Sequence, residues 1–182
     1  MSLVLLPLLL IGCGSSTPSG YQGKQGFRIA PPKDWVERAR DDLLPPRAGQ
    51  KILELPMPKL TPPAEKMLVR YDRLTSGRLA WLRVSEFESV PTTPLKEWAS
   101  ARSPGAGWKS VGVVEQIEVG GQPAVRVGFK GRWNDQDYAN ETVAVAQDNR
   151  MYLLTASFPA GDEAGREEAR ASIAGASWPK DK

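Results

Sequence analysis

Histidine is absent from this chain of 182 residues. Catalytic triads, Cys-His nucleophiles and the commonest metal sites depend on an imidazole, so these classes of site are excluded. Cysteine is nearly absent as well, because Cys13 is the single one. One cysteine cannot form an intramolecular disulfide or a thiolate metal cluster. We therefore predict no catalytic residue, no metal site and no cofactor.

The chain also lacks a basic run and a long hydrophobic run. Its 24 Lys and Arg residues stand against 21 Asp and Glu, and the basic residues are scattered. This distribution predicts no nucleic-acid partner. The apolar run at residues 3–11 has nine residues, whereas a membrane-spanning helix needs about 20. With 41% hydrophobic and 25% charged residues, the composition is typical of a globular protein, and a monomer is expected.

The N-terminal residues have the order of an exported, lipid-anchored protein. The apolar run ends in Leu10, Ile11, Gly12 and Cys13. This order resembles the lipobox of bacterial lipoproteins, in which an aliphatic, a variable and a small residue precede the cysteine that takes up diacylglycerol. The resemblance implies cleavage between Gly12 and Cys13 and a membrane anchor with fatty acids such as palmitate on Cys13. The alternative is an apolar N-terminal strand with a buried free cysteine.

These patterns divide the chain into three parts. Residues 1–12 are predicted as a lipoprotein signal peptide, residues 13–25 as the lipidated cysteine and a flexible tether, and residues 26–179 as one globular domain. The Gly, Ser, Thr and Pro residues of the tether cannot form a core. The predicted location is the bacterial cell envelope, with the domain outside the cytoplasm and the lipid in either the inner or the outer membrane.

Alternation of apolar and polar residues predicts a mainly antiparallel sheet. The predicted strands lie at 67–71, 79–87, 109–119, 124–133, 138–146 and 151–158, with a short apolar strand at 27–30 before them. Within 79–87, Trp81 and Arg83 share one face and Leu82 and Val84 share the other. The last four strands are joined by short turns such as Gly120-Gly121, which predicts a hairpin meander.

Two helices are predicted beside the sheet. Thr93 is expected to cap a helix that begins at Pro94 and ends near residue 103. Asp162 is expected to cap a helix at 163–174.

The fold class that these elements predict is α+β, a mainly antiparallel sheet flanked by helices. Trp35 and Trp98 are predicted to be buried in the core. The segment 41–63 contains six prolines and has room only for a short strand at 52–55.

Several short motifs follow one another in an order typical of a known family. They are the apolar strand 26–29, Pro32, Trp35, the Gly-containing bend 119–124, the triplet 152–154 and Trp178. This order resembles the PsbP-like superfamily, whose fold is shared by Mog-type Ran-binding proteins and bacterial DcrB-like lipoproteins. The resemblance spans about 26–178 and implies an α/β/α sandwich with a non-catalytic binding or assembly role. The superfamily has no shared catalytic residues, so none is carried over.

One candidate binding site follows from the polar hairpin tip at 134–137. Trp133 lies beside Arg132 at the start of this tip. An exposed aromatic ring next to an arginine is typical of a binding hot spot. The alternative is that Trp133 packs back onto the sheet. The acidic tip itself is expected to be a solvated turn rather than a cation site.

The leading hypothesis is a lipid-anchored envelope protein whose domain binds a protein or another envelope component without catalysis. One alternative is a hydrolase that uses carboxylates alone, for example Glu86 with Glu88 or Glu115 with Glu118, although solvated strand faces are expected there. The other is a small-ligand carrier with its pocket between helix and sheet. An exposed aromatic patch favours the first hypothesis, two close carboxylates in a cleft the second, and an apolar pocket the third.

Overall fold

The computed structural model describes residues 20–23, 26–38 and 65–179. The predicted signal peptide, its cleavage site at Gly12 and Cys13, and most of the tether lie outside the described residues. The proline-rich segment 41–63, with its predicted strand, lies outside them too.

Nine strands and two helices form the described part of the chain. In chain order they are β1 (Tyr21–Gln22), β2 (Arg28–Ile29), β3 (Val36–Glu37), β4 (Glu65–Thr75), β5 (Arg78–Phe87), α1 (Leu95–Ser100), β6 (Lys109–Val119), β7 (Gln122–Trp133), β8 (Gln136–Gln147), β9 (Arg150–Pro159) and α2 (Glu163–Ala174).

Seven of the described strands form one antiparallel sheet in the order β3-β4-β5-β9-β8-β7-β6. Strands β6 to β9 form the predicted meander, with tight turns whose residues have positive φ, such as Gly120 at 59° and Gly121 at 81°. Strand β5 pairs with β9 and not with β6. The connection through α1 therefore runs to the far edge of the sheet, and the meander returns beside β5. The predicted α+β class is confirmed.

Helix α2 packs on one face of the sheet, over an aromatic core. Phe27, Tyr152 and Trp178 lie with their ring centroids 5.2–5.3 Å apart. Gly120 permits this packing, because a Cβ there would lie 2.9 Å from the Trp178 ring. The amide of Gly165 donates to Asp162 Oδ1 at 3.0 Å, so the predicted N-cap of this helix is confirmed.

Polar contacts hold α2 against β4. Arg73 donates to Asp162 Oδ2 at 2.5 Å and to Glu168 Oε2 at 3.0 Å. The Trp35 indole donates to the same Glu168 oxygen at 2.8 Å, and the Arg73 guanidinium lies 5.5 Å from the centre of the Trp35 ring. Trp35 is buried, as predicted, and its polar edge has a partner.

Helix α1 packs on the opposite face, so the described part has the α/β/α layers that the sequence predicts. Trp98 is buried, as predicted, and meets Phe87 edge-to-face at 5.3 Å. The prediction that Thr93 caps this helix is wrong. Pro94 precedes the first helical residue with ψ of 140°, and no side chain caps the helix. Its extended ψ keeps Pro94 outside the helix, which ends at Ser100 rather than near residue 103.

The two ends of the described chain meet beside α2. Strand β1 pairs with β2, although Tyr21 and Gln22 fall in the range predicted as tether. Arg28 of β2 exchanges backbone hydrogen bonds with Ser177, at 2.8 and 3.0 Å. Among the described helices, neither has the length and apolar character needed to cross a membrane.

Candidate functional site: a tryptophan-lined groove

Helix α1 has six residues and covers only one end of its sheet face. Cross-strand register places the side chains of Trp81, Ser157, Asn140 and Trp133 on this same face, beyond the helix. A groove of about 260 Å³ lies there, and it is lined by Arg70, Trp81, Pro104, Trp108, Trp133 and Ser157. We call it the tryptophan groove.

Two of the three groove tryptophans are positioned by strands β7 and β8. The Trp108 ring lies directly over Gly131, where any Cβ would overlap it. Because glycine has no side chain, the indole can pack directly against the backbone at this position. Trp133 meets the buried Tyr138 ring edge-to-face at 5.4 Å, yet 42% of its surface stays exposed. Packing thus orients Trp133 without covering it.

The third tryptophan, Trp81, lies beneath two guanidinium groups. Arg70 and Arg83 approach its ring centroid at 5.4 and 5.8 Å, within the range of a cation–π contact. Arg70 is held by Asp72, since its Nε donates to Asp72 Oδ1 at 2.6 Å. Arg38 binds the other oxygen of Asp72 at 3.0 Å. Arg70 is therefore fixed in place by a buried carboxylate, whereas Arg83 lies 3.4 Å from Glu65 Oε1.

Small polar side chains form the sheet surface next to the groove. They are buried and lie on β8 and β9: Asn140, Thr142, Thr155 and Ser157. Thr142 donates to Asn140 Oδ1 at 3.1 Å. Asn140 is only 1% exposed, and within the described part of the chain its Nδ2 has no hydrogen-bond partner. The buried Nε of Arg83 also has no partner there. Unpaired buried donors are rare in folded proteins and need an explanation.

The structure separates the two residues predicted as one contact patch. Trp133 lines the groove, whereas alternation along β7 places Arg132 on the opposite face. Arg132 donates to the backbone oxygen of Asp135 at 2.9 Å and lies 3.7 Å from Asp137 Oδ1. Arg132 therefore stabilises the turn at the tip of its own hairpin. Over the described ranges, no cluster of three or more acidic side chains could hold a metal ion.

Sequence reasoning did not find Arg70, Trp108 or Asn140 as parts of this site. Alternation already placed Trp81 and Arg83 on one face of β5. The sequence did not reveal that β5 pairs with β9. This pairing brings the face of β5 that carries Trp81 next to the end of β7. One signal in the sequence could have located this site. Gly131 lies in the interior of a predicted strand, and a glycine there often marks a place where another group approaches the backbone closely.

A second cavity lies between α2 and the sheet. It has a volume of about 210 Å³, and its lining includes Ile117, Val119, Val143, Ile173, Glu141 and Arg170. Burial by itself would raise the pKa of Glu141, but hydrogen bonds from Arg170 and Arg166 outweigh burial and hold that pKa below its ordinary value. Arg170 donates two of these bonds, at 2.6 and 2.8 Å, and Arg166 donates one at 2.7 Å. The carboxylate is thus ionised and fully engaged.

Two of the four carboxylates considered from the sequence, Glu86 and Glu115, are also bound by arginine, and Glu88 and Glu118 are exposed. The expectation that Glu86 is solvated is wrong, since Glu86 is buried and accepts from Arg150 Nη1 at 2.9 Å. Glu86 lies opposite Tyr152 in the strand register, so its side chain is on the α2 face. A carboxylate buried on that face needs a partner. Glu115 accepts from Arg126 at 2.5 Å on the surface.

Comparison with known proteins shows the fold. No protein-family model matches the sequence, and no curated protein does. The chain is similar to several solved structures, two of which have a TM-score above 0.5 as follows. LpqN, involved in cell envelope biogenesis of Mycobacterium tuberculosis, is 15% identical, with 86% of this chain and 87% of that chain covered and a TM-score of 0.53. Cyanobacterial PsbP (CyanoP) from Synechocystis sp. PCC 6803 is 10% identical, with 93% and 99% covered and a TM-score of 0.54. The predicted PsbP-like fold is confirmed.

Proposed function

We propose that this chain is a lipid-anchored protein of the bacterial cell envelope whose PsbP-like domain binds an envelope component without catalysing a reaction. The tryptophan groove is the binding site in this proposal. The observation that carries it is the partly exposed Trp133 beside Trp108 and Trp81 at one open end of the sheet. Exposed large aromatic rings grouped with arginine are characteristic of binding surfaces.

The chemistry of the carboxylates supports a non-catalytic role. Glu86 and Glu141 are buried, and each is bound by arginine. Hydrogen bonds from Arg170 and Arg166 outweigh burial and hold the pKa of Glu141 below its ordinary value, so this carboxylate is a poor proton acceptor. A general acid instead needs a raised pKa. These groups stabilise the fold.

The likeness to LpqN supports the envelope location. That protein is involved in cell envelope biogenesis, and the two chains share a fold over most of their lengths. In this proposal the lipobox-like residues that end in Cys13 anchor the domain to a membrane of the envelope. The fold itself hosts varied functions, so the groove carries the argument for binding.

A second candidate function is supported by the cavity under α2. Its volume of about 210 Å³ and its apolar lining by Ile117, Val119, Val143 and Ile173 suit a small apolar ligand. The matching test is Val143→Phe, which fills this cavity. Loss of a bound apolar molecule in that variant, with the tryptophan groove unaffected, would favour the carrier.

The main experiment measures retention of the full-length protein on cell-envelope fragments from its own bacterium. Trp133→Ala should weaken retention about tenfold or more, because it removes the most exposed ring of the groove. Arg132→Ala is the matched control, since this neighbour lies on the opposite face and binds only its own hairpin. It should leave retention unchanged. Equal retention of Trp133→Ala and the unsubstituted protein would contradict the proposal.

A separate experiment tests the membrane anchor. Cys13→Ser removes the sulfur that would accept the lipid, so labelled palmitate should no longer be incorporated and the protein should leave the membrane fraction. Each buried methylene contributes about 0.8 kcal/mol to membrane binding, so two or more chains hold a protein firmly. Continued incorporation of palmitate in Cys13→Ser would overturn the anchor assignment.

A further inference from the structure

The inference concerns the chemical class of the component bound in the tryptophan groove, and it rests on the proposed function. Two buried donors lie beside the groove on the same sheet face, and neither Asn140 Nδ2 nor Arg83 Nε has a partner in the described part of the chain. Asn140 is the cross-strand neighbour of Ser157, which lines the groove. A ligand that supplies oxygen acceptors would satisfy such donors, and leaving them unpaired costs free energy.

The indoles specify the shape of that ligand. Trp81, Trp108 and Trp133 present flat apolar surfaces, while hydroxyl, amide and guanidinium groups lie beside them on the same face. Sugar rings have this pairing of properties: apolar C–H faces and a rim of oxygens. An extended proline-rich peptide also packs on aromatic grooves, but it presents few oxygens to buried donors.

The charges at the groove indicate an acidic ligand. Arg38, Arg70 and Arg83 face the carboxylates of Asp72 and Glu65. Three arginines against two carboxylates leave one positive charge in excess at the Trp81 side of the groove. Guanidinium groups bind carboxylates with charge-assisted hydrogen bonds.

We propose that the tryptophan groove binds an acidic saccharide, with sugar rings stacked on the indoles and carboxylate or hydroxyl oxygens accepting from Arg83 and Asn140. Trp133 contributes stacking surface at the outer end of the groove. Arg83 contributes one of the unpaired donors. Arg38 and Arg70 contribute the acid preference, because they share the single carboxylate of Asp72.

The test is calorimetric titration of the full-length protein in a detergent without a sugar headgroup. The probes are acidic tetrasaccharides of galacturonate, mannuronate, guluronate or N-acetylmuramate, the methyl ester of each, and decaproline. At least one acid should bind about tenfold more tightly than its ester. Trp133→Ala and Arg83→Gln should each weaken that binding about tenfold, whereas Arg132→Ala should not. Melting curves of all variants establish that they are folded.

Several outcomes would overturn the inference: no acid binding tighter than about 1 mM, equal affinity for acid and ester, undiminished affinity in folded Trp133→Ala or Arg83→Gln, or binding of decaproline alone. The retention experiment on envelope fragments separates this failure from failure of the proposed function. Retention that depends on Trp133 without saccharide binding would overturn only the saccharide. Retention that is independent of Trp133 would overturn the proposed function itself.

Discussion

The two faces of the sheet differ in how completely a helix covers them. Helix α2 has 12 residues and lies over the face that carries Phe27, Tyr152 and Trp178. Helix α1 has six residues and lies over the other face at one end. The first face is therefore closed by packing and ion pairs, while the second keeps Trp133 partly exposed.

This difference separates stability from binding. Aromatic residues on the α2 face bury their rings in a core, so their loss is expected to unfold the protein. Aromatic residues at the open end of the α1 face keep exposed surface, so their loss is expected to change binding. We therefore expect the same residue type, tryptophan, to have two roles that depend on the layer above it.

The largest effect is expected at Trp35, which belongs to the closed face. Trp35→Ala should lower the free energy of unfolding by about 3–5 kcal/mol, because it leaves a large cavity and removes one of the two hydrogen-bond partners of Glu168. Denaturant titration measures this loss. Val36→Ala is the control, because the Val36 side chain is exposed on the α1 face. This substitution should change the free energy of unfolding by less than about 0.5 kcal/mol. Similar losses in the two variants would contradict the comparison.

The next effect is expected at Glu141, which joins α2 to the sheet. Glu141→Gln should cost about 3 kcal/mol at pH 7, because two arginines lose a buried partner. Glu167→Gln is the control, since Glu167 contacts Arg170 only on the surface and should cost about 0.5 kcal/mol or less.

The cost at Glu141 also depends on pH. The folded-state pKa lies below the ordinary value of 4.5, so the ionised carboxylate contributes stability above that pH. This contribution is lost as the pH falls through the folded-state pKa. The difference between the unsubstituted protein and Glu141→Gln should therefore shrink below about pH 4.5 in denaturant titrations. A difference that stays constant down to pH 3 would contradict the assignment.

A smaller effect is expected at Gly131, on the open face. Gly131→Ala should cost about 1–2 kcal/mol, because the new methyl group displaces the Trp108 ring. The emission of Trp108 should shift as its ring moves. Gly105→Ala is the control, since a Cβ there would lie 3.9 Å from Trp108, an ordinary contact. An unchanged emission spectrum in Gly131→Ala would show that the position of the Trp108 ring does not depend on Gly131.

The smallest effect on stability is expected at Trp133. Its ring meets Tyr138 on one side only, so Trp133→Ala should cost about 1 kcal/mol or less in thermal or denaturant unfolding. The same variant should show the largest loss of binding. A stability loss comparable to that of Trp35→Ala would place Trp133 in the structural core and remove the distinction between the two faces.

Much of the local structure follows from the sequence. Asp162 and the apolar spacing after it predict α2 with the limits that the structure has, because capping and helical periodicity are local properties. The meander follows from alternation and from turn residues such as Gly120 and Gly121. The start of α1 does not follow, because Thr93 and Pro94 resemble a cap while the backbone at Pro94 is extended. Where a local sequence pattern is compatible with two backbone conformations, packing selects between them.

The site is less predictable than the fold. The exposure of Trp133 follows from its place beside a polar tip, but its neighbour Arg132 turns to the other face. The residues that do accompany Trp133 come from β4, β5, β8, β9 and the loop after α1, and long-range pairing brings them together. The burial of Glu86 likewise depends on Arg150 and Tyr152, which are distant in sequence.

The sequence by itself determined the elements, the α+β class, the exclusion of histidine-based chemistry and the lipobox-like start, because each depends on neighbouring residues or on composition. Only the tertiary structure decided which strand lies beside which, and therefore that Trp81, Trp108 and Trp133 line one groove above Gly131 and Ser157. The physical reason is that a strand's alternation specifies two faces but not what packs on either. The short α1 leaves one end of its face open, and that opening is the tryptophan groove.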